Sequence, residues 1–159
     1  METSSRLQHK RNLKDKGKKS LSLKKSRKAL RVILDSSFLF IPCQFNVDIF
    51  EELAKILNRR FEPIILSPTY KELQRITESR STKLRRQATF ALKFTQKCRQ
   101  IDAERDEGES HDDIIVRVST ELNCCVATND RVLRKRLRRK NVPVIYLRQK
   151  SHLAVDGAI

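Results

Sequence analysis

The chain alternates between short apolar runs and longer segments with a helical period. Apolar, partly β-branched runs predict strands, and apolar positions repeating every three or four residues predict helices with one buried face. The predicted strands are Val32–Leu34, Phe61–Leu66, 98–103, Cys124–Thr128 and Val142–Leu147. The predicted helices are 49–57, Pro68–Ile76, 82–97, 112–122 and Arg131–Lys140. This alternation predicts a three-layer α/β/α sandwich around a mainly parallel sheet.

One carboxylate interrupts the first apolar run, since Asp35 directly follows Val32–Leu34. Burying a charge without a partner costs free energy, so an aspartate at this position does not stabilise the strand. In an open α/β sheet, binding sites form at the carboxyl ends of the strands. We therefore interpret Asp35 as the first ligand of a metal site.

Further acids are predicted at the same edge of the sheet. Glu72 lies near the start of the helix after the second strand, Asp112 and Asp113 begin another helix, and Asp130 follows the strand that ends at Thr128. Clustered carboxylates repel one another unless a cation lies between them, and an all-oxygen site favours Mg²⁺ or Mn²⁺. We also expect Ser37, Thr128 and Asn129 to hold water molecules around the metal.

Each of these acids has a simpler interpretation. Asp112 or Asp113 would serve as a helix cap, and so would Asp130 for the helix that begins at Arg131. Glu72 would be an ordinary solvated helix residue. The metal hypothesis therefore depends on all the acids meeting at one edge.

The net charge is +16, with 35 lysines and arginines against 19 acids, which favours a polyanionic partner such as RNA. Residues 1–29 hold eleven of these basic residues and two acids, with few large apolar side chains, so we expect a disordered basic arm. No apolar run approaches the roughly 18 residues of a membrane span, and we expect no membrane association. The helix after Asp130 is expected to bind RNA phosphates; its candidate residues are Arg131, Arg134, Lys135, Arg138 and Arg139. The simpler alternative is a solvated helix face.

Four cysteines are present, at positions 43, 98, 124 and 125, and they form no CxxC pair. We expect buried free thiols in a reducing compartment. No apolar stretch follows the basic N-terminus before Leu30, so a secretory signal is not expected. Together these features predict a cytoplasmic protein.

Several of these segments together resemble the PIN domain family. The resembling segments are VILDSSFL at 32–39, KEL at 71–73, DDIIV at 112–116, VATND at 126–130 and VPVIYL at 142–147. The resemblance covers roughly residues 31–150, and it implies that Asp35, Glu72, Asp112 or Asp113, and Asp130 are the acidic site. Ser37 stands where PIN domains often have Asn. The pattern after Asp113 favours it as the ligand, with Asp112 as support.

The resemblance implies a Mg²⁺- or Mn²⁺-dependent endoribonuclease that leaves 5′-phosphate and 3′-hydroxyl ends. The second half of the chain is most similar to the archaeal and eukaryotic branch that processes ribosomal RNA, so the expected partners are rRNA or its precursor and a ribosomal particle. A VapC-type toxin and a catalytically inactive RNA-binding protein remain alternatives, and a homodimer stays open. The expected organisation is an arm at 1–29, a nuclease domain at 30–150 and a tail at 151–159.

Overall fold

A computed structural model describes residues 28–159 of the chain, so the arm expected at 1–29 lies almost wholly outside the described residues. The strands are β1 (Leu30–Leu34), β2 (Phe61–Leu66), β3 (Arg99–Ile101), β4 (Cys125–Ala127), β5 (Val144–Arg148) and β6 (His152–Asp156). The helices are α1 (Ser36–Leu39), α2 (Ile41–Phe45), α3 (Ile49–Leu57), α4 (Ser67–Ile76), α5 (Thr82–Thr95), α6 (His111–Glu121) and α7 (Arg131–Arg139).

The strands form one sheet in the order β3-β2-β1-β4-β5-β6. Strands β1 to β5 pair in parallel, and β6 runs antiparallel beside β5. The chain leaves β1 towards β2 and β3 and later returns to its other side with β4. This reversal of direction makes the carboxyl ends of β1 and β4 the expected position of a site.

The core lies on both faces of the sheet, because successive side chains of a strand point to opposite faces. Ile33 packs on one face with α6 and α7, where Leu133 and Leu137 are fully buried. Val32 and Leu34 pack on the other face with α1 to α5. The predicted three-layer sandwich with a mainly parallel sheet is therefore confirmed.

The C-terminal residues differ from the prediction. Residues 151–159 were expected to be a tail, but His152–Asp156 forms strand β6 and buries Leu153. The hairpin turn places Gln149 and Lys150 at positive φ, 53° and 57°, without the glycine or asparagine that normally marks such a turn. Because β6 pairs with β5, β6 is the edge strand on this side of the sheet.

The segment after Asp35 forms the two short helices α1 and α2. The second helix ends at Asn46, which adopts the left-handed conformation with φ 54°. Phe38, Leu39 and Ile41 are fully buried in this segment, which anchors the loop after β1 to the core.

The four cysteines are unpaired, as predicted. Cys124 and Cys125 are buried, and burial raises the pKa of the Cys124 thiol to about 12. Cys43 is exposed, which corrects the expectation that all four are buried. None of the helices formed by residues 28–159 has the length and apolar character needed to cross a membrane.

Candidate active site

The candidate site lies where β1 and β4 end side by side. Leu34 is in register with Ala127, so Asp35 and Thr128 are the first residues beyond the paired strands. The backbone N–H of Asp35 donates to the carbonyl of Ala127 at 3.0 Å, which extends the pairing by one step. The sheet itself therefore places the Asp35 side chain beside the loop that follows β4.

Two hydroxyl groups hold the buried Asp35 carboxylate, which is only 5% exposed. Its Oδ2 accepts hydrogen bonds from Ser37 Oγ at 2.8 Å and from Thr128 Oγ1 at 2.7 Å. Within residues 28–159, its Oδ1 has no hydrogen-bond partner. A buried polar atom normally has a hydrogen-bond partner, and these two hydroxyls satisfy Oδ2 and fix the orientation of the side chain.

The residues expected to hold water have a more direct role. Ser37 Oγ accepts from the backbone N–H of Asn129 at 3.0 Å, and Thr128 Oγ1 accepts from that of Asp130 at 3.1 Å. The two hydroxyl oxygens lie 3.1 Å apart. Ser37 and Thr128 thus tie the loop after β1 to the loop after β4, while Asn129 contributes through its backbone.

Asp130 is the N-cap of α7, as its simpler interpretation proposed. Its Oδ1 accepts from the backbone N–H groups of Val132 at 2.8 Å and Leu133 at 3.1 Å. A negative charge is favourable at this end of a helix. Since Oδ2 has no hydrogen bond within the described chain, capping leaves one carboxylate oxygen available to a ligand.

Asp113, the residue that the sequence pattern favoured as the metal ligand, uses both of its carboxylate oxygens in structural contacts. It forms a capping box with Ser110, and its Oδ1 accepts from Arg136 Nη2 at 2.7 Å. These bonds, first the backbone bond from Ser110 and then the contact with Arg136, lower the pKa of Asp113. At the third position of α6, its side chain serves the helix end.

Asp112 is the member of the pair that shares the electrostatic field of the other acids. Burial and the negative charges of Asp35 and Asp130 raise its pKa above the usual value. Among the described residues, it has neither a hydrogen bond nor an ion pair. The carboxylates of Asp35, Asp112 and Asp130, which come from three separate elements, are therefore close enough for their charges to interact; we call this group the acidic cleft.

Glu72 is linked to the other acids through His111, on which the charges of Glu72, Asp35 and Asp112 all act. Its Oε2 lies 2.8 Å from His111 Nδ1, an ion-pair distance. This buried oxygen has no well-aligned hydrogen bond within residues 28–159. On the other side of the ring, Nε2 lies 2.7 Å from the hydroxyl of the buried Thr69. The contact with His111, assisted by Ser36, lowers the pKa of Glu72.

His111 was missed by the sequence analysis, because a single histidine at a helix start carries no recognisable signal. Burial alone would lower its pKa, but Glu72, together with Asp35 and Asp112, outweighs burial and raises it. When it is protonated, the ring is a cation in contact with Glu72 Oε2. Its position directly before Asp112 was the only available hint.

The donor set fits a divalent cation, although the side chains do not form a closed cage. Within residues 28–159, no three His, Cys, Asp or Glu side chains are grouped closely enough to hold a metal ion. Even so, Asp112 has no hydrogen bond or ion pair within the described residues, Glu72 Oε2 is buried there without an aligned donor, and the carboxylates offer oxygen ligands. Such a set suits Mg²⁺ or Mn²⁺, and binding would require the carboxylates to draw together.

The basic residues of α7 divide into two groups. Arg134 and Arg138 donate to the two oxygens of Asp156 at 3.0 and 3.1 Å, and the guanidinium of Arg134 also stacks on the Tyr146 ring at 3.5 Å. The other predicted RNA-binding residues are exposed and have no partner within the described chain: Arg131, Lys135 and Arg139. All five line one groove of about 550 Å³.

The sequence of this chain matches a known protein family. Residues 32–150 match the family described as the PIN like domain, three-quarters of the chain. The chain belongs to the PIN-like domain family. Its PIN domain includes Asp35, Glu72, Asp112, Asp113 and Asp130, and strand β6 follows the matched region.

Two curated relatives are ribonucleases by name. The chain is 30% identical over 132 residues to ribonuclease VapC4 of Methanocaldococcus jannaschii, across 81% of this chain and 98% of that protein. It is 24% identical to ribonuclease VapC9 of Archaeoglobus fulgidus, across 83% of this chain and 93% of that protein. Among solved structures, the PIN domain endonuclease Utp24 matches with a TM-score of 0.68 and 24% identity, across 81% of this chain and 92% of that one, which supports the PIN fold.

Proposed function

We propose that this PIN domain is an endoribonuclease that depends on Mg²⁺ or Mn²⁺. The observation that carries the proposal is the joint end of β1 and β4, where Thr128 links the Asp35 carboxylate to the backbone of Asp130 and where the charges of both acids act on Asp112. The curated relatives named as ribonucleases support the same activity. Like charges at one sheet edge are unfavourable unless a ligand uses them, and an RNA phosphodiester needs a cation to approach them.

In this proposal Asp35, Asp112 and Asp130 hold the metal, and Glu72 completes the set. When bound, a divalent cation would neutralise charge on the phosphodiester and make a water molecule more acidic. The water oxygen bonds to phosphorus and the bond from phosphorus to the 3′ oxygen breaks, which leaves a 5′-phosphate and a 3′-hydroxyl. Ser37 and Thr128 keep the Asp35 carboxylate in its orientation by their bonds to Oδ2.

The exposed cations of α7 would hold the RNA strand. Arg131, Lys135 and Arg139 have no partner among residues 28–159, so each is available to a phosphate. Contacts of this kind position a strand without reading its sequence. If they bind RNA, each neutralised residue should flatten the salt dependence of binding to a single strand by about 0.7 on a log–log plot.

The test is an RNA cleavage assay with the Asp35→Asn variant in Mn²⁺. We expect the rate to fall by more than about 100-fold, because even partners of metal ligands cost 10- to 100-fold when they are removed. Asp48→Asn is a matched control, since Asp48 caps α3 by accepting from the Glu51 N–H and has no hydrogen bond or ion pair to the proposed metal ligands within residues 28–159. Full activity of Asp35→Asn would refute the mechanism.

The proposed substrate is ribosomal RNA or its precursor in a cytoplasmic ribosomal particle. The support is the charge of +16, much of it in residues 1–29, which suits a large RNA assembly. Crosslinking followed by RNA sequencing tests this substrate: reads concentrated in ribosomal RNA would support it, and reads concentrated in transfer or messenger RNA would contradict it.

A VapC-type toxin is the second candidate, and the names of both curated relatives favour it. A neighbouring gene for a small antitoxin, together with growth arrest when this chain alone is expressed, would decide for it. Tight, salt-sensitive RNA binding without cleavage in any divalent metal would instead indicate an inactive RNA-binding protein.

A further inference from the structure

A second groove, of about 420 Å³, begins at Asp130 and follows the carboxyl end of β5. We name it the β5 groove. The side chains used in the argument are Phe45, Asn129, Arg134, Tyr146, Arg148 and Gln149, all of which line it. It shares Asp130 with the proposed active site, so an RNA strand at the acids would have one neighbouring nucleotide within reach of the groove.

Arg134 forms a fixed, flat surface in this groove. Its guanidinium lies 3.5 Å from the centre of the Tyr146 ring, and its Nε donates to Asp156 at 3.0 Å. Held from two sides, the group loses little further freedom on binding a ligand. Its two terminal nitrogens have no partner within residues 28–159, so they are available as donors.

The remaining lining supplies what a nucleotide needs. Phe45 and Tyr146 are half-buried aromatic rings, while Asn129 and Gln149 are exposed amides that can both donate and accept. Arg148 is exposed and has no partner within the described chain. Single-stranded RNA is recognised by stacking on aromatic rings or arginine planes and by hydrogen bonds to base edges, with cations on the phosphates.

We propose that the β5 groove binds one unpaired nucleotide of an RNA strand, adjacent to the phosphodiester at the acidic cleft; this proposal rests on the proposed nuclease function of that cleft. A volume of about 420 Å³ lies in the range of pockets that hold one small molecule, so it suits one nucleotide. A base within a duplex is stacked on both faces and paired along one edge, so a groove that takes up a single base selects an unpaired nucleotide.

The first test measures binding without cleavage. The Asp35→Asn protein is titrated with a short single-stranded RNA in which each base in turn is removed, in the presence of Mg²⁺. We expect loss of the base at one position to weaken binding roughly 5- to 100-fold, the effect of one base–aromatic stack. In the same background, Tyr146→Leu and Phe45→Leu should remove this dependence on the base at that position.

Phe90→Leu is the matched control, because Phe90 is an exposed aromatic residue of α5 that lies outside the groove. This variant should show the same dependence on the base as its parent. Tyr146→Phe keeps the ring under Arg134 and should also retain it. Melting temperatures identify any variant that loses its fold, and the second ring then decides the result.

The same set of RNAs, cleaved by the unmodified active site, separates the two proposals. If RNA is cleaved but no position depends on its base, the groove proposal is overturned and the nuclease stands. If one position depends on its base but nothing is cleaved, the groove stands only as a site that binds an unpaired nucleotide, and the nuclease is refuted. A dependence that persists unchanged in both Tyr146→Leu and Phe45→Leu also overturns the groove.

Discussion

Replacement of Thr128 by valine tests the hydroxyl network that holds the central carboxylate. Thr128 is fully buried, and its hydroxyl donates to Asp35 Oδ2 at 2.7 Å while accepting from the N–H of Asp130 at 3.1 Å. Valine has nearly the same shape but cannot form either bond. The buried carboxylate then keeps Ser37 as its only hydrogen-bond donor within the described chain.

The expected loss can be estimated from these contacts. A hydrogen bond to a charged group contributes about 1.5–3 kcal/mol, and this one reaches a carboxylate that is 5% exposed. The N–H of Asp130 lies in an exposed residue, where water can replace the lost acceptor. We therefore expect Thr128→Val to lower the free energy of unfolding by about 2–3 kcal/mol. Thr128→Ser keeps the hydroxyl and loses one methyl group, which costs about 1 kcal/mol.

Urea unfolding measures both variants. With a slope of about 2 kcal/mol per molar urea, the valine variant should unfold about 1 M below the wild type, and the serine variant about 0.5 M below. The two should also differ in metal-dependent cleavage, where the valine variant loses about 10- to 100-fold because Asp35 is less well oriented. A valine variant within about 0.5 kcal/mol of the wild type, or one more stable than the serine variant, would refute the reasoning.

Three further predictions follow from the same region. Asp112 has a raised pKa, so its ionisation makes the native state less stable as pH rises. Without metal, the Asp112→Asn variant should therefore have a higher melting temperature than the wild type at pH 7. Mn²⁺ should no longer raise the melting temperature of this variant. The ion pair of His111 and Glu72 should stabilise the protein most between about pH 4.5 and 6.5. The pKa of His111 is raised in the folded protein, so this stabilisation is lost as pH rises; the pKa of Glu72 is lowered, so it is lost as pH falls. A difference in stability between wild type and His111→Gln that stays constant across pH 4–9 would contradict this. Gly157→Ala adds a Cβ 2.6 Å from Arg138 Nη1 at a φ of 105°, so thermal melting should show a loss of about 1–3 kcal/mol, and an unchanged melting temperature would contradict the clash.

The choice between Asp112 and Asp113 shows where sequence reasoning ends. Both residues begin the same helix, one position apart, and the pattern that follows them favoured Asp113. The capping box and Arg136 use that side chain, while the charges of Asp35 and Asp130 act on Asp112. Helix geometry separates neighbouring residues by about 100°, so the orientation of α6 against the sheet decides which of the two carboxylates lies nearer the other acids.

The contacts of the basic helix α7 with Asp156 could not be predicted from the sequence either. Nothing in the spacing of Arg134 and Arg138 indicates that both bind Asp156, because that residue lies in a strand that was expected to be a tail. The hairpin between β5 and β6 has no glycine at its turn, so the local signal was absent. Tertiary pairing alone brings this carboxylate to the helix.

The order of apolar runs and helical periods by itself determined the layered sheet, and the parallel pairing it implied placed Asp35 and Asp130 at one edge. These features depend on local sequence and on the order of the elements, so the spacing of apolar residues predicts them. The orientation of α6, the role of His111 and the division of the arginines depend on side chains distant in sequence that meet only after packing. Those contacts were decided by the tertiary structure, because no local pattern encodes the direction in which one helix turns its face towards another.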